Sequence, residues 1–242
     1  MALGNNERFR TRAATLDQTR AHEIDHGLRA HMLKVYNYMA SGLCLTGIVA
    51  MGTAMSPEMM LTIYGTPLRW VVMFAPFAFV LVLNFGLHKM SATALQATFW
   101  AFAATMGLSL AYIFAIYTGQ SIARVFFITA GTFGAMSLWG YATKRDLSGF
   151  GGFLTMGLIG ILIAFIVNIF LQSEMVQFVA SAIGVLIFTG LTAYDTQRIK
   201  SIYSEFDGRE IRKKKAILGA TTLYLDFINL FVMLLQFFGN RE

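Results

Sequence analysis

Two carboxylates interrupt the most apolar parts of this 242-residue sequence: Asp195, toward the end of one long uncharged run, and Asp226, near the middle of another. An aspartate at the centre of a membrane helix costs about 2.5–3.5 kcal/mol on insertion scales, so it faces the bundle interior or water and is a functional candidate by default. Thr222, Asp226, Asn229, Met233 and Gln236 follow at offsets 0, 4, 7, 11 and 14, which is one stripe of an α-helix. Thr192 precedes Asp195 by three residues and Arg198 follows it by three. Two readings stand side by side. Asp195 bonded to Arg198 or the interface, with Asp226 bonded to nearby Asn or Thr, would be independent polar anchors. Alternatively, two carboxylates held close in a low-dielectric site cannot both ionise cheaply, and a shared proton then makes a pH sensor without a histidine. When ionised, such a pair offers oxygen ligands to a hard cation such as calcium, a transported ion rather than a resident cofactor. Asp195 lies about one turn from its helix end, whereas Asp226 lies about ten residues past Lys215, on the order of 15 Å deeper. Their meeting requires tilt, or a last helix that begins in the cytoplasm.

A second motif is louder and carries less. His22-Glu23-Ile24-Asp25-His26 fits the H-E-x-x-H pattern, in which two histidines hold zinc beside a glutamate base. It lies in a polar tail with no third ligand fixed nearby, and reads as a solvated juxtamembrane helix. No structural metal site and no catalytic residue is expected. The four histidines (His22, His26, His31, His88) lie outside or at the edge of the apolar runs, so a buried Ser-His dyad has no base. The last apolar run contains no lysine, which excludes a retinal Schiff base there. The chain reads as a non-enzyme.

The elements that must position the two acids are legible from where charge is missing. Of the residues, 56% are hydrophobic and 13% charged, against about 25% charged in an ordinary soluble domain. The charges are also unevenly spread: six uncharged stretches of 19 to 34 residues lie between Lys34 and Asp195, and a seventh, Ala216 to Asn240, is broken only by Asp226. Each is long enough to cross a bilayer. The expected spans are 32–55, 68–87, 95–117, 121–141, 149–171, 176–197 and 216–238. The fold class is thus an all-α, polytopic seven-helix membrane bundle: a polar cytoplasmic tail over 1–31, the transmembrane domain over 32–238 and a short tail over 239–242. The tail has no apolar core and no small-residue cleavage site, so it does not read as a signal peptide.

With the N-terminus inside, 16 Lys and Arg fall on the cytoplasmic side, and only Arg69, Arg124 and Arg241 fall outside. The net charge of +6 is therefore a topology signal, and no nucleic-acid partner is implied. Seven crossings put the C-terminus outside. Cys44 is the one cysteine, which rules out an internal disulfide. Small residues every four positions, Gly42, Thr46, Ala50 and Ala54 in the first span and Ala103, Gly107 and Ala111 in the third, are places where helices can approach closely.

Several stretches resemble the Bax inhibitor-1 family of seven-span membrane proteins, also called the transmembrane Bax inhibitor motif family. They are Gly107-Leu108-Ser109-Leu110 with Tyr117-Thr118-Gly119, Thr143-Lys144-Arg145-Asp146-Leu147-Ser148-Gly149, Thr192-Ala193-Tyr194-Asp195-Thr196-Gln197, and Leu223-Tyr224-Leu225-Asp226-Phe227-Ile228-Asn229-Leu230-Phe231. The resemblance implies a central helix wrapped by the others, with a hydrogen-bonded acid pair that corresponds to Asp195 and Asp226. It also implies a pH-dependent calcium leak or, as the alternative, a non-enzymatic regulator that binds a membrane-bound ATP-dependent protease or other stress-response partner. A basic residue closing the second helix latches the sixth-helix acid in such proteins; the corresponding region here reads His88-Lys89-Met90, which departs from an arginine-rich pattern. The motif wording is closer to bacterial members, which points to a bacterial inner membrane.

Overall fold

The computed structural model describes residues 3–86 and 89–240, with side chains from residue 26 onward. Among the described residues the chain forms helices and no strand: α1 (Leu3–Ala54), α2 (Pro57–Tyr64), α3 (Leu68–Gly86), α4 (Ala92–Leu110), α5 (Ile113–Ile116), α6 (Gly119–Ala142), α7 (Ser148–Leu171), α8 (Glu174–Ser201) and α9 (Arg209–Phe238). Among the described residues seven segments are long and apolar enough to cross a membrane, in the order expected. The helix ends follow from capping chemistry. Ser56, Ser91, Thr118 and Ser173 each accept a backbone N–H from the first turn of the helix that follows. Gln172 closes α7 in the left-handed region, φ 47°, and lets the chain reverse directly into α8.

Two differences from the expected spans bear on the site. The third crossing is broken between α4 and α5, where the sequence alone predicts one span over 95–117. The break is tolerated because its freed backbone groups find partners: the Tyr64 hydroxyl, brought by α2, donates to the Leu108 carbonyl and accepts from the Tyr112 N–H at 3.3 Å. The last helix starts at Arg209 rather than near 216, so its first two turns carry the basic cluster, interrupted by Glu210 and Ile211, before the apolar run begins at Ala216.

The core is built around α9. In its apolar window 72% of residues are buried inside the protein, against 11–39% in the other six spans. It packs on α1, α4, α6 and α8, while α7 touches mainly α8 and turns most of its apolar surface outward. The small-residue stripes of the first and third spans do face one another: a Cβ on Gly107 would stand 2.7 Å from the Thr46 carbonyl and 2.8 Å from Val49 Cβ. Between α6 and α8 the approach is tighter, since a Cβ on Gly140 would stand 2.8 Å from Ala193 Cα and closer still to its carbonyl oxygen.

Candidate functional site

Helix α8 runs six residues beyond Asp195, and α9 begins seventeen residues before Asp226, so the two helices overlap along the depth that separates the acids in sequence. An early start of α9 is one of the two arrangements that would let the acids meet. Asp195 and Asp226 are 8% and 5% exposed and their carboxyls lie within hydrogen-bonding reach of each other. Among the described residues no donor faces Asp226 Oδ2, which is fully buried. Carboxylates have no proton of their own, so a hydrogen bond between these two groups closes only when one of them is protonated. Arg198, one turn further along α8 and exposed, acts on Asp195 through its charge.

The supporting polar residues take other duties. Thr192 is buried and its hydroxyl donates to the Phe188 carbonyl at 2.8 Å, while that of Thr222 donates to the Leu218 carbonyl at 3.2 Å. Both are thus satisfied by their own helices and leave the acids to each other. Asn229 is half-buried on α9. Lys89 is exposed in the turn before α4 and, among the described residues, makes no ion pair with either acid; His88 lies outside the described residues. The side chains of His22 and Glu23 from the H-E-x-x-H motif also lie outside them, and His26 is exposed. Among the described residues no cluster of three or more His, Cys, Asp or Glu forms.

Sequence reasoning missed two hydroxyl chains that brace the site. In the first, Thr196 donates to the Thr192 carbonyl at 2.7 Å, so its one proton is committed. Ser137 Oγ must then donate to Thr196 at 2.9 Å, and Tyr36 Oη to Ser137 at 2.7 Å. The result is a one-directional relay from α1 through α6 to the α8 backbone beside Asp195. In the second, the Thr46 hydroxyl serves the Gly42 and Ala103 carbonyls at 3.0 and 2.8 Å, so Tyr224 Oη donates to Thr46 at 2.6 Å. Tyr224 is fully buried two residues before Asp226, with Phe99 and Phe102 edge-on against its ring. The signal for this one was present: a tyrosine mid-way along a buried helix needs a hydroxyl partner, and Thr46 already stands in the close-packing stripe of the first span.

Residues 28–242 match the profile of the family described as inhibitor of apoptosis-promoting Bax1. Similar proteins include an uncharacterized protein of Rickettsia prowazekii (strain Madrid E), 49% identical over 90% of this chain and 93% of its own. The inner membrane protein YbhL of Escherichia coli (strain K12) is 48% identical over 89% of this chain and 94% of its own. An uncharacterized membrane protein of Streptococcus pyogenes serotype M3 is 33% identical over 91% and 96%.

Proposed function

Because the chain belongs to the Bax inhibitor-1 family of membrane proteins, we propose that it is a pH-sensitive calcium leak gated by the Asp195–Asp226 pair. The observation that carries this reading is the burial of two carboxyls, one from each of two adjacent helices, against each other. With one proton between them the acids tie α8 to α9, and the bundle is closed. Removal of that proton sets two like charges together in a low-dielectric site, weakens the tie and shifts the population toward an open arrangement. The ionised oxygens then become a station for a hard cation. Two acids alone fall short of the six to eight oxygens that calcium prefers, which suits passage rather than storage. The excess of Lys and Arg on the side bearing Arg209–Lys215 supports a cytoplasmic position for that side and an external C-terminal end. A bacterial inner membrane is supported by the name of the Escherichia coli relative.

The test is calcium flux from loaded proteoliposomes across a pH series. Wild-type flux is expected to vary with pH. Asp195→Asn and Asp226→Asn keep the shape of the pair, and an amide donates to the remaining carboxyl without a titratable shared proton, so both variants should lose that dependence. Unchanged pH sensitivity in both would refute the proposal.

A further inference from the structure

A second polar site stands away from the acid pair, where α1 meets the loop between α8 and α9. His31 on α1 is 4% exposed, and among the described residues its Nε2 is buried with no hydrogen-bond partner. A buried nitrogen without a partner is costly and calls for a ligand. His31 lines a cavity of about 170 Å³ together with Tyr203, Lys34, Arg209 and Arg212. The Tyr203 ring lies against the imidazole, centroids 5.5 Å apart, and its hydroxyl occupies the space that a Cβ at position 27 would take, which Gly27 leaves open. A second cavity of about 430 Å³ shares Lys34 and Arg209, adds Lys213, and reaches Trp100 on α4.

The charges around these cavities are not consumed by the protein. Lys215 pairs with Asp207 and Lys214 with Glu210 at 3.4 Å, which accounts for both of those acids. Among the described residues Lys34, Arg209, Arg212 and Lys213 have no ion-pair partner. The same cavities open at the start of α9, where Gly208 supplies no side-chain cap to the first N–H groups of a 30-residue helix. Three cations, an uncapped helix start and an unpartnered buried imidazole converge on the smaller cavity, and the fourth cation, Lys213, lines the wider one beside it.

We infer that this space is a binding site for a phosphate group, held by Arg209, Arg212 and Lys34 with His31 Nε2 donating from its floor. Arginine suits the planar, bidentate contact with phosphate oxygens. The phosphate has two sources, an anionic phospholipid headgroup or a soluble phosphate compound, and the chemistry of recognition is the same for both. Trp100, which lines the wider cavity, is the side chain type that favours a membrane interface, and this favours a headgroup as the source.

The experiment uses the full-length protein in detergent. Phosphatidylglycerol and phosphatidylcholine are titrated separately and followed by native mass spectrometry, and inorganic phosphate is titrated by calorimetry. Arg209→Gln with Arg212→Gln is compared with Lys144→Gln with Arg145→Gln, an equal loss of charge in the α6–α7 connection. Either phosphatidylglycerol binding preferred over phosphatidylcholine, or saturable inorganic phosphate binding, supports the site and identifies the source. In either arm the Arg209/Arg212 variant should bind about tenfold or more weakly, and the control within about twofold of wild type. His31→Phe, which keeps the ring packing, should weaken the same arm and guards against a double variant that fails to fold. Equal loss in the variant and the control, or no binding in both arms, overturns the inference. The readout is binding alone, so it stands or falls separately from calcium flux.

Discussion

Replacing Gly140 by alanine is expected to force α6 away from α8 at the level of the acid pair. The added methyl would stand 2.8 Å from Ala193 Cα and 2.9 Å from its carbonyl carbon. It is short of ordinary van der Waals contact by about 0.6 Å, and both partners are backbone, so no side chain can rotate to make room. Overpacking of this kind costs about 1–3 kcal/mol. The shift also stretches the 2.9 Å bond from Ser137 to Thr196, three residues from Gly140 on one side and next to Asp195 on the other. Gly131 on the same helix is the internal control, because a Cβ there meets nothing within 4 Å. Its alanine variant should be neutral or more stable by up to about 0.5–1 kcal/mol, the ordinary gain from removing a helical glycine. The measurement is reversible unfolding in mixed micelles by titration with a denaturing detergent, followed by circular dichroism. Equal stabilities of Gly140→Ala and Gly131→Ala would show that α6 and α8 are not in backbone contact and would refute the packing argument.

Two further perturbations test the bracing groups. Tyr224→Phe removes the hydroxyl that donates to Thr46 at 2.6 Å and keeps the ring, so a loss of about 0.5–1.5 kcal/mol is expected in the same unfolding assay; no loss would mean that the hydroxyl is not engaged. Asp146, exposed in the turn before α7, accepts the Ser148 N–H at 2.9 Å, and its hydrogen bonds to Ser148 hold its carboxyl below the usual carboxylate range. A lowered value means that the stabilisation is present at neutral pH and is lost as pH falls through the folded value. Asp146→Ala should therefore speed amide exchange at Ser148 near neutrality, with the two proteins converging in acid; a constant difference across pH would count against it.

The seven crossings were legible because membrane helices exclude charge, and the runs between Lys34 and Asp195 are long and clean. The break at Leu110–Ile113 was not, because the partner that makes it tolerable, Tyr64, lies more than forty residues away on a helix too short to announce itself as a span. Spacing put Asp226, Met233 and Gln236 on one stripe without naming its partner; in the structure Met233 stands against Gly184 and Gln236 accepts from Ser181, both on α8. A stripe, however, presumes a helix with an outside, and α9 has almost none: Tyr224, Leu230 and Leu235 are as buried as Asp226, so periodicity could not rank its faces. The early start of α9 stood only as one of two ways for the acids to meet, because Arg209–Lys215 are mostly charged and read as loop until the helix is seen to pass through them.

The central helix also follows the other six spans along the chain. As the chain grows from its N-terminus, six spans are in the bilayer before α9 leaves the ribosome, and they surround a space that their own side chains do not fill. Thr46, Ser181 and Asp195 wait there for Tyr224, Gln236 and Asp226, and Arg124 waits for the carbonyl of Phe238. A chain cut before residue 209 is therefore a sheath without a core, with Asp195 deprived of its partner acid.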